Sequence, residues 1–257
     1  MKKLLSLLLP KPIKKIIRRI FPAPQPAPAN YKILSRTEFE RLWKKYQNAW
    51  QNPTLPQKQL ASTSQELPNF HKIKAIHSTL EFIKQTGVAQ PQLLDIGCSS
   101  GYYYEIFQRA GLALQYEGCD YSKHFISLAK QRYPDARFKI CSAEKLVYPD
   151  NSFDIVLHSS CLQYIPNYAL AVKEAARVSR RFVIMHRLPI LHRQDTTFLL
   201  KKGYGVEMLE IWFNEEKLIK AFSDNNLAVR AVKTIGSEIV QGLNEPMFMK
   251  GYLCEKV

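Results

Sequence analysis

One stretch of the chain combines an acid with small residues in the pattern of a ligand-binding turn. It reads DIGCSSG from Asp95 to Gly101 and overlaps the end of an apolar segment. Small side chains here permit a tight turn and let a ligand approach the backbone. A second acid, Asp120, stands 19 residues beyond Gly101, a spacing that suits two hydrogen bonds from a carboxylate to ribose hydroxyls. The two motifs together predict a site for a ligand that contains a nucleoside.

The same turn differs from two common nucleotide-binding loops. A dinucleotide fingerprint that starts at Gly97 requires glycine at position 99 and glycine or alanine at position 102. This chain has Ser99 and Tyr102 there. The sequence also lacks a phosphate loop of the GxxxxGKS or GxxxxGKT type. Asp95 is badly placed for a pyrophosphate, because both are negative, but it is compatible with a ligand that carries positive charge.

From Gln92 onward, strand patterns alternate with helix patterns. Strands separated by helices of about a dozen residues indicate an α/β fold, with a mostly parallel sheet and helices on both faces. Ligands of such sheets bind beyond the carboxyl ends of the strands, which is where both motifs fall. The predicted strands are residues 92–98, 114–120, 136–141, 153–159, 180–186, 227–236 and 247–257, and the predicted helices are 101–111, 122–133, 167–179 and 214–225.

Two more helices are predicted ahead of the sheet. Ser35 can cap a helix whose apolar face begins at Phe39, and a second helix covers residues 70–85. Residues 51–69 between them are polar and rich in turn-forming residues, which predicts a loop. These patterns divide the chain into a tail (residues 1–30), a helical cap (31–86) and an α/β domain (87–257).

The net charge of +15 is concentrated at the amino-terminal end. Residues 1–45 hold 12 lysines and arginines against two acids, which leaves +5 for the rest. Within residues 12–21, isoleucines recur at helical spacing opposite basic residues, the pattern of a cationic amphipathic helix. A proline-rich spacer follows. We therefore expect residues 1–21 to contact an anionic membrane surface, whereas the nearly neutral remainder argues against a nucleic-acid partner.

The cysteines and the apolar runs bear on the cell compartment. No apolar run reaches the roughly 18 residues that a membrane-spanning helix needs. The five cysteines show no CxxC pairing, which argues against a metal site and a disulfide framework and favours a reducing cytoplasm. We expect a cytoplasmic protein without a metal, peripheral on the inner membrane face if the tail binds lipid.

Four segments together resemble the successive motifs of class I S-adenosylmethionine-dependent methyltransferases. They are LLDIGCSSGYYYEIF, YEGCDYS, ICSAEKLVYPDNSFDIVLHSSCLQYIPN and RRFVIMHR, in this order. The resemblance covers roughly residues 70–257. It implies a Rossmann-like seven-stranded sheet whose last strand is antiparallel, and S-adenosylmethionine as the cofactor. The arrangement more loosely resembles bacterial methyltransferases of cell-surface polysaccharide assembly.

The resemblance also implies roles for individual residues. Asp120 would bind the ribose hydroxyls, Tyr121 would flank the adenine, and Ser142 with Ala143 would meet the adenine edge. His158 would border both the methionine moiety and the substrate. The turn would line the methionine and ribose parts of the cofactor through Asp95, Gly97, Cys98, Ser99 and Gly101.

Three residues could take a proton from the methyl acceptor. If the acceptor is a hydroxyl, His158, Tyr164 or His186 could act as the base, because each is predicted at or soon after a strand's carboxyl end on the cleft side. A base is optional, since positioning of donor and nucleophile supplies most of the catalysis in an in-line displacement. The chain departs from its relatives at Tyr164, where they often have histidine, at Ser99, which replaces a glycine, and at Ser142, which replaces an acid.

Residues 188–214 lie between the fifth predicted strand and the next helix, where this class inserts substrate-specific structure. Basic and aromatic residues suit a sugar phosphate, a lipid-linked glycan or an acidic small molecule. We expect methyl transfer to a small-molecule, sugar or lipid-linked glycan acceptor. The alternatives are an inactive cofactor-binding scaffold and a nucleic-acid methyltransferase, although HSSCLQY after the fourth strand is not the signature of the latter. The basic and aromatic residues are Arg187, His192, Arg193, Lys201, Lys202, Tyr204, Trp212 and Phe213.

Overall fold

The computed structural model describes residues 31–257, and its centre is a mostly parallel sheet. The strands are β1 (Tyr31–Leu34), β2 (Gln92–Ile96), β3 (Gln115–Asp120), β4 (Arg137–Ile140), β5 (Phe153–Ser159), β6 (Ser179–Leu191), β7 (Thr197–Gly203), β8 (Val206–Asn214), β9 (Leu227–Glu238) and β10 (Met247–Lys256). Seven of them follow the order β4-β3-β2-β5-β6-β10-β9. Along this path, β10 is antiparallel to both of its neighbours, β6 and β9, and the other pairs are parallel. The predicted α/β sheet with an antiparallel last strand is confirmed.

The described sheet has ten strands, and the prediction of seven was wrong in number. The extra strands are β7 and β8, which form an antiparallel hairpin within residues 188–214, and β1, which pairs with β7. The hairpin joins the sheet because β6 continues past His186 to Leu191, where it pairs in parallel with the end of β8. We call residues 192–214 the insert.

Seven helices surround the sheet within the described part of the chain. They are α1 (Arg36–Tyr46), α2 (Leu55–Glu66), α3 (Lys74–Gln85), α4 (Tyr102–Arg109), α5 (Lys123–Arg132), α6 (Tyr168–Val178) and α7 (Glu215–Ser223). Ser35 caps α1 as predicted: it accepts from the backbone of Glu38, whose side chain accepts in return from Ser35. The loop predicted for residues 51–69 was wrong, since α2 lies there. Pro56 is tolerated in the first helical turn, and the buried side chain of Leu55 anchors a helix that otherwise lacks an apolar face.

Alternation along the central strands divides the core between the two faces of the sheet. Leu93, Ile155 and Ile184 pack with residues of α3, α4 and α5. Their immediate neighbours along the strands, such as Leu94 and Val156, pack with residues of α6 and α7. Successive side chains of a strand point to opposite faces. Helices therefore cover both faces, and only the strand ends are left open for a site.

The predicted amphipathic helix of residues 12–21 and the proline-rich spacer lie outside the described residues. Within residues 31–257, none of the helices combines the length and the apolar character needed to cross a bilayer.

Candidate active site

The turn between β2 and α4 has the backbone shape that its small residues predict. Gly97, Ser99 and Gly101 have φ angles of +74°, +55° and +81°, a region that glycine adopts without steric penalty. The amide N–H of Gly97 donates to the carbonyl oxygen of Cys119 on β3 at 2.7 Å. A Cβ atom on Gly97 would lie 2.5 Å from Sγ of Cys161. Glycine is therefore required at position 97 for space as well as for conformation.

Asp120 ends β3 beside this turn. Its Oδ2 accepts from the amide N–H of Ser99 at 3.1 Å, and its Oδ1 accepts from that of Ser122 at 2.9 Å. Burial raises the pKa of the Asp120 carboxyl to about 6. An ionised carboxylate offers about four acceptor positions, so two backbone bonds leave room for hydroxyl groups of a ligand.

A cavity of about 340 Å³ lies at the carboxyl ends of the central strands. Seven predicted site residues line it, and they come from four separate segments. The parallel sheet brings these segments together because it places the carboxyl ends of its strands at one edge. The seven are Gly97, Ser99, Asp120, Tyr121, Ser142, Ala143 and Tyr164.

Three other predicted cofactor residues lie behind the cavity wall. Asp95 is buried in β2 and accepts a hydrogen bond from the Tyr116 hydroxyl at 2.7 Å, and burial raises the pKa of its carboxyl to about 7. Cys98 packs closely on Gly118, and Gly101 is the N-cap of α4. These residues shape the turn, and their contact with a cofactor stays a prediction.

Both histidines predicted at the site are buried and do not line the cavity. His158 has no hydrogen-bond partner for either ring nitrogen among the described residues, and burial lowers its pKa to about 3. His186 contacts Ser78 through Nε2 at 2.7 Å and Thr79 through Nδ1 at 3.2 Å. Its pKa is also lowered to about 3, first by burial and then by Arg187. So low a pKa makes either imidazole a weak proton acceptor near neutral pH.

The helical cap supplies part of the cavity wall. The side-chain amide of Gln51 donates to the carbonyl oxygen of Tyr121 at 2.8 Å, and the hydroxyl of Ser99 donates to Oε1 of Gln59. The cap is thus tied to both motif turns. Sequence reasoning missed these contacts, because they depend on how α1 and α2 pack over distant turns. The cap residues that line the cavity are Trp43, Gln47, Asn48, Trp50 and Gln59.

Aromatic rings from separate elements meet beside the cavity. The centroid of the Trp50 ring lies 5.0 Å from that of Tyr164 and 6.2 Å from those of Phe125 and Tyr204. Trp50, Phe125 and Tyr164 line the cavity. The indole N–H of Trp50 is buried and has no hydrogen-bond partner among the described residues. We call these four residues the aromatic cluster.

Several basic and aromatic residues of the insert are engaged in internal contacts. Trp212 and Phe213 are 3% and 0% exposed. His192 and two cations, Arg193 and Lys201, contact acids of the described chain, so these two charges that would suit a sugar phosphate are paired within the chain. The pairs are His192–Glu215 at 3.1 Å, Arg193–Glu245 at 3.9 Å and Lys201–Glu210 at 2.8 Å.

The cavity lining contains acids, hydroxyls, thiols and aromatic rings. Within residues 31–257, no group of three or more histidines, cysteines and acids is arranged to hold a metal ion. The described lining residues thus offer both hydrogen-bond acceptors for a polar ligand and apolar contact surface.

Comparison with known proteins agrees with this geometry. Residues 94–182 match the methyltransferase domain family. Over 89 residues the chain is 34% identical to a demethylmenaquinone methyltransferase of Bacillus licheniformis, covering 33% of this chain and 38% of that protein. Over 121 residues it is 30% identical to a fatty-acid O-methyltransferase of Mycolicibacterium smegmatis, covering 46% and 43%. The chain therefore spans less than half the length of these two relatives.

The fold is similar to that of a magnesium protoporphyrin IX methyltransferase from Synechocystis, solved with bound S-adenosylmethionine. The TM-score is 0.54 at 12% identity, over 91% of this chain and 100% of that chain. Residues 94–182 thus resemble a methyltransferase domain, and the fold is that of a known S-adenosylmethionine-dependent methyltransferase, which agrees with the cofactor expected from the sequence.

The residues present fit this cofactor. Asp120 has acceptor positions left over for ribose hydroxyls, and Gly97 leaves the turn open where a Cβ atom would collide with Cys161. Tyr121 offers a ring beside the cavity on which an adenine can pack. The carboxylate of Asp120 also favours a ligand with a sulfonium charge.

Proposed function

We propose that the chain transfers a methyl group from S-adenosylmethionine to a small-molecule acceptor that packs against the aromatic cluster. The observation that carries this proposal is that one cavity is lined by both Asp120 and Tyr164. Methyl transfer from a sulfonium requires donor and nucleophile to be held in line and shielded from water. A cavity walled by the cap and shared by both groups of residues meets that requirement.

The apolar part of the lining favours an apolar acceptor. Ile165 and Pro166 line the cavity together with Trp50 and Phe125, and apolar surface of this kind binds rings and hydrocarbon chains. The relatives are named for demethylmenaquinone and for fatty acids. We therefore favour a quinone-like or fatty-acyl acceptor over the sugar phosphate or lipid-linked glycan, because Arg193 and Lys201 of the insert pair with acids of the same chain.

Among the three residues predicted as bases, we assign proton transfer to Tyr164. It lines the cavity, whereas His158 and His186 do not. In this arrangement the two histidines serve the packing of the sheet. Asp120, Tyr121, Ser142 and Ala143 would hold the nucleoside part of the cofactor.

The full chain is tested by incubation with S-adenosylmethionine and, separately, demethylmenaquinol, hexadecanoic acid and a polyprenyl-linked sugar. S-adenosylhomocysteine and the methylated product are measured by mass spectrometry, with Asp120→Ala as the inactive control. We expect product from an apolar acceptor at least tenfold above the control. Tight cofactor binding without product from any acceptor would contradict the proposal and favour a non-catalytic scaffold.

We also propose that residues 1–21 bring the enzyme to an anionic inner membrane face, where apolar acceptors reside. We expect the full chain to co-sediment with phosphatidylglycerol vesicles and a chain without residues 1–22 to lose most of this binding. Cofactor affinity should be equal in the two chains. Equal vesicle binding would contradict the tail's role.

A further inference from the structure

A buried carboxylate of the insert lies behind the aromatic cluster. Glu210 of β8 is 3% exposed. Its Oε2 accepts from the hydroxyl of Tyr164 at 3.4 Å and lies 2.8 Å from Nζ of Lys201, and its Oε1 accepts from the indole N–H of Trp212 at 3.0 Å. Of these four residues, Tyr164 lines the cavity. The Glu210 carboxylate is therefore connected to the cavity through the phenol of Tyr164.

Charge is rarely buried without a reason, because removing a carboxylate from water costs free energy that partners must offset. Lys201 and Trp212 are neighbours of Glu210 within the insert, so they are sufficient to pair its charge and to donate a hydrogen bond to it. The contact with Tyr164 instead crosses from the insert to the short 3-10 helix Leu162–Tyr164 after β5. This contact links the carboxylate to the part of the cavity where we place the acceptor.

Tyr164 by itself is a poor base. Burial, then the charge of Glu210, raises the pKa of its phenol well above the usual value, while Arg187 acts in the opposite direction. Tyr204 of the insert raises the pKa of the phenol further. The phenol is therefore protonated at neutral pH. It can accept a proton only if it passes its own proton on, and Glu210 is the acceptor in hydrogen-bond contact.

We propose that Glu210 positions Tyr164 and receives its proton, and that the methyl acceptor of this enzyme is a hydroxyl rather than a carboxylate. The inference rests on the proposed function and narrows its two apolar acceptors to the quinol-like one, because the reacting group of a fatty acid is a carboxylate. As the acceptor oxygen forms its bond to the methyl carbon, the bond from that carbon to sulfur breaks. The acceptor proton moves to the Tyr164 oxygen, and the Tyr164 proton moves to Glu210. The sulfonium and the carboxylate are both neutral afterwards, so atoms and charges balance.

A carboxylate acceptor would need none of this, since it is already ionised at neutral pH. A proton relay therefore predicts different reactivity for two acceptors that have the same apolar part but different reacting groups. Para-octylphenol and para-octylbenzoic acid have the same ring and chain and differ in the reacting group. We expect methylation of the phenol by the wild-type protein and not of the acid.

Kinetics of Glu210→Gln, Tyr164→Phe and the double variant with para-octylphenol test the relay. Each single variant should lower kcat by about 100-fold with little change in either KM, and the double variant should be no worse, as for residues that act as a unit. Glu210→Asp should recover part of kcat, because it keeps a carboxylate near the phenol. Preference for the acid or additive losses would overturn the proposal.

A measurement without an acceptor separates this inference from the proposed function. In full-length protein with isotope-labelled tyrosine rings, NMR follows the ionisation of Tyr164, whose signal is assigned by its absence in Tyr164→Phe. Loss of the Glu210 charge should lower the pKa of the phenol. An unchanged pKa in folded Glu210→Gln would overturn the link between the residues, whether or not any acceptor is methylated. If the pKa shifts but wild-type protein methylates neither octyl compound, the link between the residues stands, and the relay and hydroxyl specificity are overturned.

Discussion

The two sides of the cavity differ in how the chain builds them. On one side, Asp120 ends β3, and Gly97 and Ser142 stand in the turns after β2 and β4, so all three lie at the carboxyl ends of parallel strands. On the other side, Trp50, Tyr164 and Tyr204 are separated by 114 and 40 residues, and they meet only because the cap and the insert fold over the sheet. The first side is made by local turn chemistry and the second by tertiary packing.

This difference has a functional consequence. We assign the cofactor to the side made by strand turns and the acceptor to the side made by the cap and the insert. Changes in the turns should then affect cofactor affinity first. Changes in the aromatic cluster should affect the acceptor first and leave the cofactor largely unaffected.

The largest effect is expected from Gly97→Ala. The new Cβ atom would lie 2.5 Å from Sγ of Cys161, and φ is +74°. Overpacking and backbone strain together should lower the free energy of unfolding by about 2–4 kcal/mol and weaken cofactor binding. Gly111→Ala is the matched control, because φ is +65° and no heavy atom lies within 4 Å. This control should lower the free energy of unfolding by about 1 kcal/mol and leave cofactor affinity unchanged. Chemical unfolding and calorimetry check both, and equal losses would contradict the steric argument.

A smaller and more selective effect is expected from Trp50→Ala. The change removes ring contacts to Phe125, Tyr164 and Tyr204, each worth about 0.5–1.5 kcal/mol. Turnover of the acceptor should fall about tenfold, while the Kd for S-adenosylmethionine should change less than about threefold. Trp50→Phe should recover most of the turnover, since it keeps a ring in place. A large loss of cofactor affinity in Trp50→Ala would place the cofactor against the cap instead.

The strand ends and the turn at Gly97 could be predicted from the sequence, for a physical reason. Strand alternation and glycine-rich turns are local patterns, so the strand ends and the turn at Gly97 could be located directly. The acceptor side could not be located in this way. Residues 51–66 lack an apolar period although α2 folds there, and Glu210 lies in a strand whose pairing depends on how far β6 extends. His158 was placed near the site because it stands at the carboxyl end of β5, but it is fully buried and does not line the cavity.

His158 gives the smallest expected effect. Its pKa is lowered to about 3 by burial, so the stability it contributes is present above about pH 6.5 and is lost as pH falls. His186 acts in the same direction, whereas the raised pKa values of Asp95 and Asp120 oppose it, since their contribution is lost as pH rises. As the pH falls from 6.5 to 5.5, the free energy of unfolding of His158→Leu should therefore rise relative to that of the wild type by about 1 kcal/mol. Urea unfolding at the two pH values measures this, and parallel curves would show that the ring is not buried in its neutral form.

The central claim is that the turns after β2 and β3 form an S-adenosylmethionine site anchored by Asp120. Its most direct test is calorimetric titration of the full chain with S-adenosylmethionine and S-adenosylhomocysteine, beside Asp120→Ala and an NAD control. We expect binding near micromolar Kd for both sulfur nucleosides, a loss of about 100-fold in the variant, and no binding of NAD. Equal affinity in the variant, or a preference for NAD, would contradict the account.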